Sequence, residues 1–388
     1  MIRNFTYPLH PTKAQEAVLF GWLRLCCDLY NGAVQERRDS WNRGRVAVKY
    51  FDQSNAYTTV RREIPEYGEM PAVIGHSVIR RVEHTFSAFF RRRARGEQCG
   101  FPRFRSHHRY RSLRMPMVGR TGKVSDSSIW IPKLGYVKAN IYRPVKGHPK
   151  VADIVHDGYG RWRVIVMCEM GNAPTKAAVS SAVGIDLGLN SFMVLSDGTD
   201  IANPRFARSS RDEIAKSQRL LARRKPGSTS HRRASAQVAR IYLRVRNRKL
   251  DFARKLACHI VRQYDLIAYE ALALTGLAKG RIRKAVSEVA WGTFLCCLIS
   301  KAESAGKWAV PVNPHGTTQR CSACGAKVMK ALNEREHRCD CGFSASRDFN
   351  ASLNILALGR SVVPSTEVGQ PTLPVKDRPL PSMVRLDA

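Results

Sequence analysis

Seven residues in this chain have the types and spacings from which metal chemistry is built. Four are cysteines. Cys321 and Cys324 form a Cys-x-x-Cys pair, and Cys339 and Cys341 form a Cys-x-Cys pair, within CSACGAKVMKALNEREHRCDCG. Four thiolates suit a tetrahedral Zn²⁺, and four protein ligands leave no position open for water, so such a zinc would be structural. The other three are carboxylates: Asp186 in GIDLG, Glu270 in AYE and Asp348 in RDFN. Carboxylates gathered in one place repel each other. Divalent cations remove that conflict, and two Mg²⁺ about 4 Å apart can activate a water and stabilise the leaving oxygen of a phosphodiester. Mg²⁺ suits the task because it keeps several waters and needs few carboxylates beside phosphate oxygens. Singly, each acid has a plainer role: a turn residue before Gly188, a helix cap after Glu270, a helix-dipole acid at Asp348. Jointly, in so basic a chain, they read as a catalytic trio.

The elements around these residues are predicted from hydrophobic period. AVGIDLGLNSFMVLSDGTDI reads as strand, glycine turn, strand, turn, strand, with Asp186 in the first strand. YDLIAYEAL is a buried strand with Glu270 at its carboxyl end, VAWGTFLCCLISKAESAG an amphipathic helix, WAVPVNP a strand, and RDFNASLNILALG a last helix opened by Asp348. Sites in open α/β sheets lie where strands end. Before them, 205–255 is helical with a break at KPGSTS. The chain opens with a strand and a helix whose Thr12 and Gln15 have capping-box spacing. A second helix is expected from about His76 to Arg93. From about Ile129 to Met170 the period becomes strand-like, consistent with a small β-barrel or sheet. GNAPTKAAVSS is a polar linker, and the proline-rich end from 361 to 388 reads as a disordered tail.

Charge is the strongest bulk feature. The 388 residues hold 65 Lys+Arg against 31 Asp+Glu, a formal +34. A polyanion partner, nucleic acid before an anionic membrane, is the natural consequence. The stretch from Arg91 to Arg114 holds nine arginines and one acid, with Phe101, Phe104 and Tyr110 between them. Arginine beside aromatics suits phosphates and stacked bases. Arg91, Arg92, Arg93, Arg103 and Arg105 are the expected phosphate contacts, with Arg223 and Arg224 in the second basic stretch. No secretory leader opens the chain and no run of about 18 apolar residues could span a membrane. A reducing, cytoplasmic setting is therefore expected, in which clustered cysteines bind metal rather than form disulfides. The adjacent pairs Cys26-Cys27 and Cys296-Cys297 read as buried small hydrophobes. His315, His337 and the histidines of SHH, His107 and His108, read as solvated or nucleic-acid-facing rather than as ligands.

Taken together, AVGIDLGLNSFMVLSDG, DLIAYEAL and TTQRCSACG…HRCDCGFSASRDFNASLNI resemble the TnpB family, transposon proteins of the OrfB type related to CRISPR type V effectors. PLHPTKAQEAVLFGWLRLCCDLYN is similar to that family's opening, SAFFRRRARGEQCGFPRFRSHHRYRSLR to its FFRR…GFPRF segment, and SEVAWGTFLCCLISKAESAG to its Trp-helix. The resemblance implies a multidomain α+β and α/β chain. A β-barrel wedge domain would comprise 1–12 and 106–175, with a helical recognition lobe, 13–105, inserted in it. A RuvC-like (RNase H fold) nuclease domain would comprise 176–315 and 346–360, with a zinc-ribbon insert at 316–345. It further implies RNA-guided cleavage of double-stranded DNA beside a short target-adjacent motif. The guide RNA would derive from the transposon end, with one protein chain per RNA, in a prokaryotic, nucleoid-associated protein. Asp186, Glu270 and Asp348 match the family's three catalytic acids, and Arg347 the Arg of its Arg-Asp pair. Two departures stand out. Only one residue separates Cys339 from Cys341, where two are commoner, and Arg254 stands where many relatives have His.

Other readings stay open at this point. A DNA transposase acting without a guide would also use three acids. A repressor of the same fold would bind DNA without cutting, though it would be expected to lose the acids that stand here. A type V CRISPR effector is a further alternative, against which the short chain argues.

Overall fold

β1 (Ile2–His10) shows why the first part of the chain folds around it. Every second side chain, Phe5, Tyr7 and Leu9, is buried, as a strand with one face on a core requires. The computed structural model describes residues 1–117, 123–157, 159–172, 174–176, 178–206, 208–271, 289–331 and 334–363, in two compact units divided at Asn172.

In the first unit, β1 is followed by α1 (Lys13–Gly44), α2 (Tyr50–Glu63), α3 (Pro65–Glu69) and α4 (Ala72–Ala94). The expected capping box opens α1: Thr12 Oγ1 accepts from the Gln15 amide at 3.2 Å, and Gln15 Oε1 accepts from the Thr12 amide at 3.1 Å. Five strands follow: β2 (Ser112–Pro116), β3 (Ser128–Ile131), β4 (Gly135–Ala139), β5 (His148–His156) and β6 (Trp162–Glu169). They join β1 in one antiparallel sheet of order β2-β5-β6-β1-β4-β3, so the first strand lies inside the sheet and the helices are an insertion between β1 and β2. Among the described residues β2 and β3 are not paired with each other. The sheet face (Phe5, Tyr7, Val164, Val166) and the helix faces (Trp22, Cys26, Tyr30 of α1; Ile74, Val78, Val82 of α4) share one hydrophobic core. α4 begins at Ala72, four residues before the expected start.

The second unit carries the acids. β7 (Ala182–Leu187), β8 (Ser191–Leu195) and β9 (Asp200–Ala202) form an antiparallel meander. The basic stretch is not helical from 205. Its helices are α5 (Arg211–Ala222) and α6 (Thr229–Gln263), with the break where KPGSTS places it. β10 (Leu266–Glu270) then adds parallel to β7. α7 (Trp291–Ser304) leads to β11 (Trp308–Val312), which adds parallel to β10. The sheet order is β11-β10-β7-β8-β9. A two-stranded ribbon, β12 (Glu336–Arg338) and β13 (Ser344–Ser346), precedes α8 (Arg347–Val362).

The two sides of this sheet do different work. Val183, Ile185, Leu187, Ile267 and Tyr269 pack with Phe252, Leu256 and Ile260 of α6 and with Phe294 and Leu298 of α7. The alternate residues Leu266 and Ala268 pack with Ile355 of α8. Glycines let α8 approach closely: a Cβ on Gly184 would fall 2.1 Å from the Ser352 carbonyl oxygen, and one on Gly359 would fall 2.3 Å from Ala268 Cβ. Gly184→Ala is therefore expected to destabilise the unit by about 1–3 kcal/mol through overpacking, measurable as a lowered urea midpoint.

Two expectations are corrected in these units. Cys26 and Cys27 are buried, but Cys296 is exposed and Cys297 half-buried. The buried face of α7 is set by Trp291, Phe294, Leu295, Leu298 and Ala302; at 3.6 residues per turn position 296 turns away from it, and Cys297 lies at its edge, partly buried against the core. His337 is fully buried, not solvated: it is the middle residue of β12, with exposed neighbours on either side, and its ring lies 6.0 Å from that of Phe343. The predicted tail lies outside the described residues from 364 onward, and the last helix runs to Val362. No helix among the described residues is long and apolar enough to cross a membrane.

Candidate active site and metal centre

Strand register brings the first two carboxylates together. In the parallel pair, Ile185 of β7 stands opposite Tyr269 of β10. One step further along each strand lie Asp186 and Glu270. Side chains alternate across a strand, so both acids share the face of Gly184 and Ala268, the face on which α8 packs. α8 starts with Ser346 as N-cap, its hydroxyl accepting from the Phe349 amide at 3.2 Å, and this puts Asp348 in the first turn. Each acid thus comes from a different element and reaches one end of one sheet face.

Their electrostatics report the convergence. Burial, then the charges of Glu270 and Asp348, pushes the Asp186 carboxyl up to about 8, against the opposing pull of Arg347 and the Leu187 amide. Burial also raises Glu270, with Asp348 adding to the rise and the Thr317 hydroxyl opposing it. Asp186 and Glu270 are each 7% exposed, whereas the Asp348 side chain is 26% exposed. Arg347 lies beside it, Nε 3.5 Å from Asp348 Oδ1, and also donates to the Glu334 carbonyl at 3.2 Å. Two buried carboxylates and a third at their rim act on one another's charge, and carboxylate oxygens are donors that a divalent cation takes.

The cysteines meet as their spacing suggested. The Sγ atoms of Cys321, Cys324, Cys339 and Cys341 all lie within 4.8 Å of one another. Cys321 and Cys341 are 3.7 Å apart, and Cys324 and Cys339 3.5 Å. Tetrahedral Zn–S bonds of about 2.3 Å place sulfurs about 3.8 Å apart, whereas a disulfide needs about 2.05 Å. The donor set fits zinc, and the single residue between Cys339 and Cys341 does not prevent it. Burial alone would raise the Cys321 thiol, but backbone amides led by that of Cys324 draw it down to about 6, while the neighbouring thiols of Cys324, Cys339 and Cys341 are raised.

Three residues that sequence reasoning passed over join the two sites. Thr317 is buried, and its hydroxyl lies 2.9 Å from Glu270 Oε1. Asn350, fully buried on α8, accepts from the Ser322 amide at 2.9 Å and donates to the Arg320 carbonyl at 2.8 Å. Asn354, one turn on, donates to the carbonyls of Thr317 and Arg320 at 2.8 and 2.7 Å. The 317–322 turn therefore holds Glu270 with one residue and α8 with its backbone, and it runs directly into the first cysteine pair. Two asparagines spaced i and i+4 on one helix, Asn350 buried and Asn354 half-buried, were the available signal. Asn350→Ala is expected to cost about 1–3 kcal/mol, the penalty for stranding buried hydrogen-bonding groups, and to lower the thermal midpoint.

The expected nucleic-acid arginines fall in separate places. Arg91, Arg92 and Arg93 are exposed on the last turn of α4. Arg103 is exposed in the loop that follows. Arg105 is tied to α1: its amide and carbonyl bond the Asn31 side chain at 2.8 Å each, and its guanidinium stacks 4.9 Å from the Tyr30 ring centroid. Arg223 and Arg224 are exposed at the end of α5 in the second unit. Only Arg347 joins the acids.

Known structures share this fold. The Cas12f1 chain of a "Cas12f1-sgRNA-target DNA complex" matches with TM-score 0.59 at 13% identity, over 89% of this chain and 83% of that one. "The mini-RNA-guided endonuclease CRISPR-Cas_phi3" matches with TM-score 0.53 at 11% identity, over 94% and 93%. The fold is that of these compact multidomain α+β effectors. Two family models match: OrfB_IS605, described as "Probable transposase", over 165–281, and the Cas12f1-like TNB domain over 291–355. A Streptomyces pristinaespiralis protein named "Putative RNA-guided DNA endonuclease" is 32% identical over 92% of this chain and 89% of its own length. "Putative RNA-guided DNA endonuclease InsQ" of Escherichia coli is 24% identical over 97% of each. The chain belongs to the TnpB family of OrfB-type transposon proteins.

Proposed function

We propose that this protein is an RNA-guided, Mg²⁺-dependent DNA endonuclease of a transposon. It would cut double-stranded DNA that matches a transposon-end-derived guide RNA beside a short target-adjacent motif. The observation that carries this reading is the convergence of Asp186, Glu270 and Asp348 on one end of the β7–β10 face, in a chain whose relatives bear that name. Asp186, Glu270 and Asp348 would hold two Mg²⁺. Bound there, the cations supply an activated water and charge stabilisation of the leaving oxygen. The protein's own residues do the rest. Thr317 orients Glu270. Arg347, beside Asp348, offers a guanidinium to the scissile phosphate. The depth of Asp186 and Glu270 keeps bulk water from the carboxylates.

On this reading 176–315 and 346–360 are the RuvC-like nuclease domain, and 316–345 is its Zn²⁺ ribbon, one ion held by the four cysteines. Residues 1–12 and 106–175 are the wedge domain, with 13–105 its helical lobe. The guide supplies sequence specificity by pairing, as in other RNA-guided effectors. The test is cleavage of matched DNA by the protein purified with its RNA. Cleavage should need Mg²⁺ and a matching target and should vanish after RNase treatment. Activity that survives RNase would overturn the guide and favour a transposase acting without one.

Phosphate contacts from Arg91, Arg92, Arg93 and Arg103 should make nucleic-acid affinity strongly salt-dependent. Charge-neutralising all four is expected to reduce the slope of log K against log salt by about 3 to 4, read by filter binding between 50 and 300 mM salt.

A further inference from the structure

A cleft of about 940 Å³ lies in the first unit between the end of α1, the end of α4 and the loop at 100–104. That is ample for a nucleotide. Its walls are aromatic and open to solvent: Trp41 is 51% exposed, Phe90 60% and Phe104 50%. Proteins seldom leave so many large rings uncovered around one cleft without a ligand.

The arginines around it divide into two kinds. Arg37, at the floor, is fully engaged, with Nη2 2.7 Å from Glu83, Nε 2.9 Å from Gln53, and its guanidinium over Phe86. Arg38, Arg93 and Arg103 are exposed at the cleft and have no ion-pair partner among the described residues. Apolar rings and unpaired guanidinium groups ask for a ligand with both a flat π-face and negative charge. A protein surface would have to bring three carboxylates to match; a nucleotide carries both features in one unit. Bases within a duplex are already stacked, and extracting one costs a few kcal/mol. Nucleotides in single-stranded RNA loops are free to splay onto aromatic side chains.

We infer that this cleft holds an unpaired nucleotide of the protein-bound RNA, its base against Phe90 and Phe104 and its phosphates on Arg93 and Arg103. The inference rests on the proposed RNA-bound state, but it concerns a site remote in sequence from the acids and needs neither Mg²⁺ nor cleavage.

The test uses the full-length protein, freed of nucleic acid by high salt, and fluorescein-labelled eight-nucleotide single strands, oligo(U) and oligo(A). The double variant Phe90→Ala/Phe104→Ala should weaken binding at least about tenfold with the salt slope unchanged, since stacking is lost and charge is not. Arg93→Gln/Arg103→Gln should lower the slope by about 1.4. All four side chains are exposed, so circular dichroism should show both variants folded. Three results would overturn the inference. The aromatic variant could bind single strands like the parent. It could lose as much affinity for a duplex RNA of equal length, or for single-stranded DNA bound better than RNA. Or its only change could be a shift from dimer to monomer in sedimentation, which would make the cleft a contact between copies. If the variants behave as expected and guided cleavage fails, the proposed function falls while this site stands; the reverse result separates them equally well.

Discussion

Asp186→Asn is expected to remove DNA cleavage, by on the order of a thousandfold or more, the scale on which a single transition-state electrostatic contact acts. The same variant should leave RNA and DNA binding intact, because Asp186 is buried at the strand end and not on the basic surfaces. A second consequence is less intuitive: without divalent cations this variant should be more stable than the parent. The Asp186 carboxyl titrates near 8 when folded against an ordinary value of 3.8. Below about pH 4 it is protonated in both states and contributes no difference. Between about 4 and 8 only the folded state holds the proton, so the Asp186 contribution to stability falls as pH rises. Above 8 the full cost of a buried charge beside Glu270 is present. In EDTA, Asp186→Asn should therefore raise the thermal midpoint most at pH 8 and hardly at pH 4, while Mg²⁺ should stabilise the parent and not the variant. Full cleavage by Asp186→Asn, or a variant-minus-parent stability difference in EDTA that does not grow from pH 4 to 8, would remove Asp186 from the site.

Loss of zinc is expected to be nearly as damaging, by a different route. Cys321→Ser takes one thiolate from a four-ligand set, and structural zinc contributes about 10–16 kcal/mol of binding free energy that is also folding energy. The damage should spread along named bonds. Cys321 adjoins Ser322, whose amide is held by Asn350 on the helix that carries Asp348, and the same turn carries Thr317 on Glu270. Loosening the ribbon should therefore misplace Asp348 and free Glu270. The expected result is one equivalent of zinc lost by atomic absorption, increased proteolysis within 316–345, and cleavage reduced with it. A zinc-free variant with full cleavage would show that the carboxylates are positioned without the ribbon.

Much of this site was legible because its residues carry their own local signals. The four cysteines keep metal-ligand spacing. Asp186 and Glu270 sit in apolar runs where an unpaired acid would be costly, and Asp348 follows a helix cap. The Thr12 capping box and the break before α6 were visible for the same reason. Misreadings came where neighbours in space outvote neighbours in sequence. Cys296-Cys297 looks as apolar as Cys26-Cys27, but α7 buries a different stripe. His337 looks like a surface histidine and lies in the small core of the ribbon.

The sequence by itself determined which groups are available for chemistry. These are three acids, four thiolates and a large excess of arginine, in elements whose periods can be read one at a time. The family followed from the same residues. Only the tertiary structure decided that the acids meet, because parallel register between β7 and β10 is a property of two strands some 80 residues apart, and neither strand encodes it alone. It also decided the height at which α8 rides, set by Gly184 and Gly359 against backbone and Ala268, and it made Thr317, Asn350 and Asn354 into a joint between the cysteine segment and the candidate acid site. Local pattern is carried by residues within a few positions of one another. Convergence is carried by packing, which has no fixed spacing along the chain.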